Sequence, residues 1–207
     1  MTASFKQIRH DKDISEKEGF GTIVISSIII VGLGIFMIKA LNVNPFIIGL
    51  TMLALGWLGR PLTRKLFGDY AKKGDIIGKL TLDTTSMTST NDNSNQVINC
   101  ADISSLNLKY NYIQGQQFTY KDIIHNGLAH LSIRTKSNQT LQFKFLIETE
   151  EQLKALKPIW KEYYRQRIKI RESMGKYDIK TILFEKDNLS FDKMQELKKE
   201  LNVESFY

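Results

Sequence analysis

The sequence predicts a membrane helical hairpin followed by an α+β domain that folds in water. Residues 19–38 and 40–59 contain no charged side chain, and only Lys39 separates these two apolar runs. After Tyr70, apolar and polar residues alternate, which is typical of strands with one buried face. An amphipathic helix pattern begins at Thr149. The chain therefore divides into an apolar N-terminal part and a mixed domain.

The first apolar run has the length of a membrane-spanning helix. About 20 residues, at 1.5 Å rise each, cross the ~30 Å hydrocarbon layer. Asn42 and Asn44 supply a turn, and Pro45 suits the first position of a second helix. Arg60 ends the second apolar run early. Whether the second helix crosses the layer completely is left open.

Small residues occur in both apolar runs. They would let two helix backbones approach closely, although glycine is also generally common in membrane helices. A homo-oligomer formed through these faces is a further alternative. The glycines predicted to pack are Gly32, Gly34, Gly49 and Gly56.

The charges that flank the apolar runs predict their orientation. The cations before the first run are Lys6, Arg9, Lys12 and Lys17. Those after the second run are Arg60, Arg64, Lys65, Lys72 and Lys73, the predicted contacts with the membrane surface. The connection between the runs carries only Lys39. The positive-inside rule then places both termini in the cytoplasm.

Four stretches after residue 70 are predicted to form strands. They are residues 76–83, 97–113, 128–136 and 141–148. The last two, joined by a turn at Asn138 and Gln139, form the clearest hairpin. Met87 is predicted to lie in a further short strand within the polar residues 84–96.

An amphipathic helix is predicted to start after this hairpin. Thr149 and Gln152 fit a capping box, and Pro158 is expected to kink the helix or to begin its second part. Its apolar face comprises Leu153, Leu156, Trp160 and Tyr163. In the tail, residues 180–186 read as a strand, and Ser190 is a candidate cap for a last helix. The apolar face of that helix comprises Phe191, Met194, Leu197 and Leu201.

The order of these elements resembles the bacterial pleckstrin-homology-like (PH-like) domains that are attached to membrane helices. The motifs that carry the resemblance are IGKLTL, ADISSLNL, LSIRTKSNQTLQFKF and TEEQLKALKPIW. It implies an antiparallel β-barrel or sandwich closed by a C-terminal amphipathic helix, a multi-pass protein of the bacterial inner (cytoplasmic) membrane, and a binding role without a defined ligand. The predicted domains are an N-terminal cytoplasmic arm (1–18), a transmembrane hairpin (19–68), a PH-like domain (69–173) and a strand-helix extension (174–207).

Residues with catalytic or metal-binding chemistry are few. His10 lies in the polar arm, while His125 and His130 lack an acidic or cysteine partner at ligand spacing. Cys100, the only cysteine, lies on an alternating stretch and is expected in the core. We therefore predict no catalytic residue, metal site or cofactor. A deep polar pocket holding His125 or His130 beside an acid would favour an enzyme.

The chain is basic, with a net charge of +7 over 207 residues. No nucleic-acid motif accompanies this charge, so an anionic membrane surface is the favoured partner. A cluster on the long helix has two interpretations, namely an ordinary solvated face or a contact for lipid or a partner. The residues of this cluster are Lys154, Lys157, Lys161 and Arg165.

The functional hypothesis is a non-enzymatic, membrane-anchored interaction module. Its PH-like domain would bind a protein partner or anionic lipid at the cytoplasmic face, through an exposed strand edge or the C-terminal helix. The alternative is an accessory subunit of a larger membrane transport or secretion complex. The expected partners are thus the lipid bilayer and a protein, without nucleic acid.

Overall fold

The structure is a computed structural model that describes residues 1–11, 32, 35–36, 71, 73–91, 94–116, 125–175, 177–186 and 190–206. The chain divides into two compact units. One comprises Met1–Ile14, Tyr70–Gln114 and His125–Tyr207, and contains most of the described residues. The other comprises Ser15–Asp69 and Gly115–Ile124. The first unit contains all the strands and both α-helices described below.

The described residues form a mixed sheet and two α-helices. The strands are β1 (Thr2–Ile8), β2 (Ile76–Asp83), β3 (Ser86–Asn91), β4 (Ser94–Asn99), β5 (Ile103–Tyr110), β6 (Leu128–Thr135), β7 (Thr140–Leu146), β8 (Lys169–Met174), β9 (Ile179–Ile182) and β10 (Glu185–Lys186). The helices are α1 (Glu150–Arg165) and α2 (Phe191–Leu201). The sheet order is β10-β9-β8-β5-β6-β7-β1-β2-β3-β4.

The first strand, β1, lies inside the sheet. It pairs antiparallel with β2, where Phe5 faces Leu80, and with β7, where Gln7 faces Phe145. Phe5 is buried, and its ring centroid lies 4.8 Å from that of Phe145. Residues 2–8 are thus part of the folded domain, in contrast to the predicted separate arm.

The sheet contains one parallel pair among mostly antiparallel ones. β5 and β8 run parallel, with Leu106 opposite Ile170. A parallel pair needs a long crossover connection, because the chain must return to the starting end of the sheet. The β6–β7 hairpin and α1 lie between these strands in sequence, and α1 brings the chain back to the start of β8.

The main core lies between one face of the sheet and α1. The capping box predicted at Thr149 and Gln152 is confirmed, and α1 continues as one helix through Pro158. The buried side chains of α1 are Leu156, Ile159, Trp160, Tyr163 and Tyr164. They pack in one cluster with apolar side chains of β1, β2, β5, β6 and β7. Cys100 is buried in this cluster, as predicted.

A second, smaller apolar cluster contains Ile8, Leu128 and Leu146, with Ala71 and Ile76 packed against it. Leu128 and Leu146 are direct partners in the β6–β7 ladder. They are one residue out of phase with the buried Ala129 and Phe145 of the main core. Because side chains alternate along a strand, this cluster lies on the opposite face, which we call the outer face.

The tail partly follows its prediction. Ser190 accepts a hydrogen bond from the backbone N–H of Lys193 and caps α2, as predicted. Leu201 is buried, but Phe191 is 76% exposed and does not belong to the buried face. Residues 180–186 do not form one strand, because a turn at Leu183 and Phe184 separates β9 from β10.

The described residues correct the predicted fold class. Among them, no helix combines the length and the apolar character that crossing a bilayer requires. Apart from Gly32, Ile35 and Phe36, which are helical and exposed, the predicted hairpin over residues 19–68 lies outside the described residues. The prediction of a multi-pass inner-membrane protein is corrected by the same finding. What the structure shows at the N-terminus is strand β1.

The resemblance to a PH-like barrel is corrected as well. Such a domain would be antiparallel and would end at its helix. Here β5 and β8 are parallel, and three further strands and a second helix follow α1. β4 and β10 stand at the two ends of the sheet order. Alternating residues locate strands and their buried faces, but they do not specify which strands pair, and this is why the prediction failed.

Candidate functional site

The two ends of the sheet differ in how they are protected. An edge strand presents unpaired backbone groups, and short strands or charged residues usually prevent other chains from pairing with it. β10 has only two residues, Glu185 and Lys186, and both are of charged types. β4 has six residues, none of them charged, and its Val97 side chain is 58% exposed. β4 is therefore the open edge among the described strands.

The direction of the free backbone groups of β4 follows from its register with β3. The backbone N–H of Cys100 donates to the Thr85 carbonyl at 2.9 Å, next to the Ser86–Asn99 pair. Hydrogen-bonded and non-hydrogen-bonded pairs alternate along an antiparallel ladder. The N–H and C=O groups that point away from β3 therefore belong to Asn95, Val97 and Asn99.

A cleft of about 410 Å³ lies beside this edge. Gln96, Val97 and Ile98 line it on the β4 side. The opposite side is formed mainly by the turn between β6 and β7, together with Asp102. The edge and this turn thus border one open space, which an extended segment could enter.

The β6–β7 turn is well braced. The backbone N–H of Thr135 donates to the Gln139 carbonyl at 2.9 Å, and that of Asn138 donates to the Thr135 carbonyl at 3.0 Å. The backbone N–H of Lys136 donates to the Asp102 carbonyl at 2.8 Å, which connects the turn to the start of β5. Because its backbone groups are already bonded, this wall is preformed and needs no ordering when a ligand enters.

The predicted membrane-surface cations are mostly outside the described residues. The cations outside the described residues are Arg60, Arg64, Lys65 and Lys72. The glycines Gly34, Gly49 and Gly56, which were predicted to pack in the hairpin, also lie outside them. Lys73 lies in a short 3₁₀ turn that precedes β2, and it is exposed. A β-carbon added at Gly32 would meet no other described atom within 4 Å. Of these predicted residues, Gly32 and Lys73 are the two that belong to the described part of the chain.

The predicted basic cluster on α1 is neutralised by carboxylates of the same chain. Each of its cations forms an ion pair, as follows: Lys154 with Glu150 (3.0 Å), Lys157 with Glu185, Lys161 with Glu200 (2.7 Å), and Arg165 with Glu162 (3.4 Å) and Glu200 (3.8 Å). Two of these carboxylates come from other elements, Glu185 from β10 and Glu200 from α2. This arrangement favours a structural role, because the pairs connect α1 to its neighbours.

The histidines have different surroundings. His125 is buried, and its ring centroid lies 4.2 Å from that of Tyr112. His130 lies on the outer face of β6, opposite Lys144. Among the described residues, no group of three or more histidine, cysteine, aspartate or glutamate side chains could hold a metal ion.

The buried carboxylate of Glu172, which was not predicted from the sequence, binds the backbone of the β9–β10 turn. Glu172 of β8 is 1% exposed and accepts hydrogen bonds from the backbone N–H groups of Leu183 (3.1 Å) and Phe184 (2.9 Å). The Tyr164 hydroxyl also donates to it at 3.3 Å. Burial raises the pKa of Glu172 to about 7, opposed by these hydrogen bonds. The sequence could have indicated this residue, because Ile170, Glu172 and Met174 are spaced two apart. In a strand, this spacing places Glu172 on the same buried face as its apolar neighbours.

No protein-family model matches the chain, and no curated protein matches it. The expected membership of the membrane-anchored PH-like proteins is thus supported neither by the fold nor by sequence comparison. The open edge of β4 and its cleft offer a geometry for binding.

Proposed function

We propose that the protein is a non-enzymatic interaction module that binds an extended segment of a protein partner by strand addition to β4. The observation that carries the proposal is the uncharged, six-residue edge that borders a preformed cleft. Strand addition uses main-chain hydrogen bonds for affinity and side-chain contacts for specificity. The backbone groups of Asn95 and Val97 and the N–H of Asn99 supply the first, and the cleft supplies the second.

The chemistry of the edge indicates what the partner presents. The β4 side chains are polar and uncharged except for Val97 and the buried Ile98. A partner strand with a β-branched or aromatic residue opposite Val97 would gain a favourable cross-strand contact of about 0.2–1 kcal/mol. A six-residue strand offers roughly 20 Å of pairing length. The expected ligand is therefore a short extended segment of low charge.

A proline substitution tests the mechanism. Val97→Pro removes an N–H group that points away from β3, so the β3–β4 ladder keeps its hydrogen bonds while strand addition loses one. Val97→Thr serves as the matched control, because it keeps the N–H group and the β-branched shape. Extended peptides would be selected from a displayed random library on the wild-type protein, and their affinities measured for all three proteins.

We expect the selected peptides to bind Val97→Pro at least about tenfold more weakly than Val97→Thr. Bound peptide should also slow hydrogen exchange at the amides of Asn95, Val97 and Asn99. Equal affinities for the two variants, or unchanged exchange at these amides, would overturn it. A concentration-dependent dimer of the wild type that Val97→Pro abolishes would instead identify a second copy as the occupant of this edge.

A further inference from the structure

A separate polar groove lies on the outer face of the sheet, over β5, β6 and β7. Its volume is about 400 Å³, within the range of small-molecule sites. His10, which follows β1, lies at its border, where its Nε2–H donates to the Gln142 carbonyl at 2.6 Å. The described residues that line this groove are all different from those that line the β4 cleft, so the two are treated as separate sites.

The strand register places three nitrogen-bearing side chains in one row across the groove. Lys109 lies directly opposite His130, and His130 lies directly opposite Lys144. The β-carbons of directly opposite residues are about 5 Å apart. The two lysines therefore begin about 10 Å apart, with an imidazole between them. The neighbouring row consists of hydrogen-bonding side chains, namely Asn107, Ser132 and Gln142.

This row concentrates positive charge. The described lining of the groove contains no carboxylate. Just outside it, Asp178 pairs with Lys109 at 2.7 Å, and both side chains are about half exposed. His130 and Lys144 each take part in at least one further interaction within the chain. Lys109 and Lys144 lie on the same face of the sheet on either side of His130, so an anion placed over this row would be attracted by both lysine charges.

We infer that the groove binds a small ligand carrying two linked phosphate groups. One phosphate would lie between Lys109 and His130, and the other between His130 and Lys144. The amide and hydroxyl groups of the second row would donate to the remaining phosphate oxygens. A ligand with one phosphate would engage one lysine only. Asp178, at the edge of the groove, would compete with the ligand for Lys109.

Pyrophosphate is the probe that tests the inference, with orthophosphate as the single-phosphate comparison. Titration calorimetry at constant ionic strength would measure the affinity of the full chain for pyrophosphate and for orthophosphate. Lys109→Gln and Lys144→Gln should each weaken pyrophosphate binding about tenfold or more, because each removes a charge-assisted contact. Asp178→Asn should strengthen it several-fold. Lys154→Gln is the control, since it makes the same charge change on α1, outside the groove.

The outcomes separate the site from general electrostatic attraction. The inference stands if pyrophosphate binds more tightly than orthophosphate, and if the groove variants and Asp178→Asn change the affinity in opposite directions. It is overturned if Lys154→Gln weakens binding as much as Lys144→Gln does. Tighter binding to single-stranded oligonucleotides or to anionic phospholipid vesicles than to pyrophosphate, with the same dependence on the lysines, would assign the groove to those polymers or surfaces instead. Circular dichroism of each variant would verify folding.

Discussion

The carboxylate of Glu172 accepts the backbone N–H of Phe184 at 2.9 Å, from a residue in the left-handed conformation with φ of 65°. Leu183, also held by Glu172, has φ of 52°. Turns that need two positive φ values usually contain asparagine or glycine, because larger side chains are strained there. Both bulky residues remain because Glu172 holds their amides and the Phe184 ring packs 5.4 Å from that of Trp160.

The buried carboxylate should make stability depend on pH. The folded pKa of Glu172 is about 7, above its ordinary 4.5, so the folded protein binds this proton more tightly than the unfolded chain does. The resulting stabilisation is complete below pH 4.5 and is lost as pH rises through 7. It is on the order of 3 kcal/mol. Urea unfolding of wild type and Glu172→Gln between pH 5 and 8.5 should show a steeper decline in the wild type.

Glu162→Gln is the matched control for this measurement, because Glu162 is a partly exposed glutamate of α1 that pairs with Arg165. Because this variant keeps Glu172, its unfolding free energy should still decline as pH rises through 7. Identical pH dependence in wild type and Glu172→Gln would show that Glu172 does not titrate in this range.

The end of α1 offers a stabilising substitution. Arg167 follows the last turn with φ of 61°, and its backbone N–H donates to the Tyr164 carbonyl at 2.8 Å. Glycine relieves left-handed strain, although it also loosens the unfolded chain. Arg167→Gly should therefore raise the free energy of unfolding by roughly 0.5–1 kcal/mol. Asn202→Gly at the end of α2, where φ is 55°, should change it less, because asparagine tolerates this conformation. Chemical denaturation compares the two, and equal effects would contradict the strain argument.

The position of β1 in the sheet predicts a large effect for an N-terminal core residue. Phe5→Ala should lower the free energy of unfolding by about 3–5 kcal/mol, since it empties a buried site against Phe145. Lys6→Ala, next to it, removes an exposed ion pair with Glu148 and should cost less than about 1 kcal/mol. Thermal or urea unfolding measures both. Similar small losses would place β1 outside the core.

The ion pairs of α1 predict a local effect on α2. Glu200→Gln removes the partner of Lys161, and it should lower global stability by only about 0.2–1 kcal/mol, because the pair is partly exposed. Hydrogen exchange in α2 should accelerate, since this pair and the one with Arg165 attach α2 to α1. Unchanged exchange in α2 would indicate that the apolar contacts of Met194, Leu197 and Leu201 are enough to hold the helix.

The sequence was sufficient where a local pattern determines structure. The β6–β7 hairpin appears where the alternation of Leu131 and Ile133 with Phe143 and Phe145 predicted it. The cap of α1 followed from Thr149 and Gln152, and Met87 is buried in a strand, as expected. These elements depend on side chains that are close in sequence or that repeat with a fixed period.

The missing parts depend on contacts between distant residues. β1 contains only Phe5 and Ile8 as large apolar residues, and its place in the sheet depends on pairing with the distant strands β2 and β7. β4 was only half predicted: its last three residues were joined to β5 in one strand, and the polar residues 94–96 were assigned to a turn. The row of Lys109, His130 and Lys144 exists only through the register of three strands.

Because β1 and β2 are partners, the two chain segments that flank residues 12–70 emerge side by side. Ile8 pairs with Ile76, and the backbone N–H of Arg9 donates to the Asp75 carbonyl at 3.0 Å. Residues 12–70 therefore enter and leave the sheet at two adjacent points. Such positions usually tolerate insertion or replacement of the segment between them. A variant in which a short linker replaces residues 12–70 should still unfold cooperatively. A single nick within that stretch should leave two fragments that co-elute, held together by the β1 ladders and the burial of Phe5.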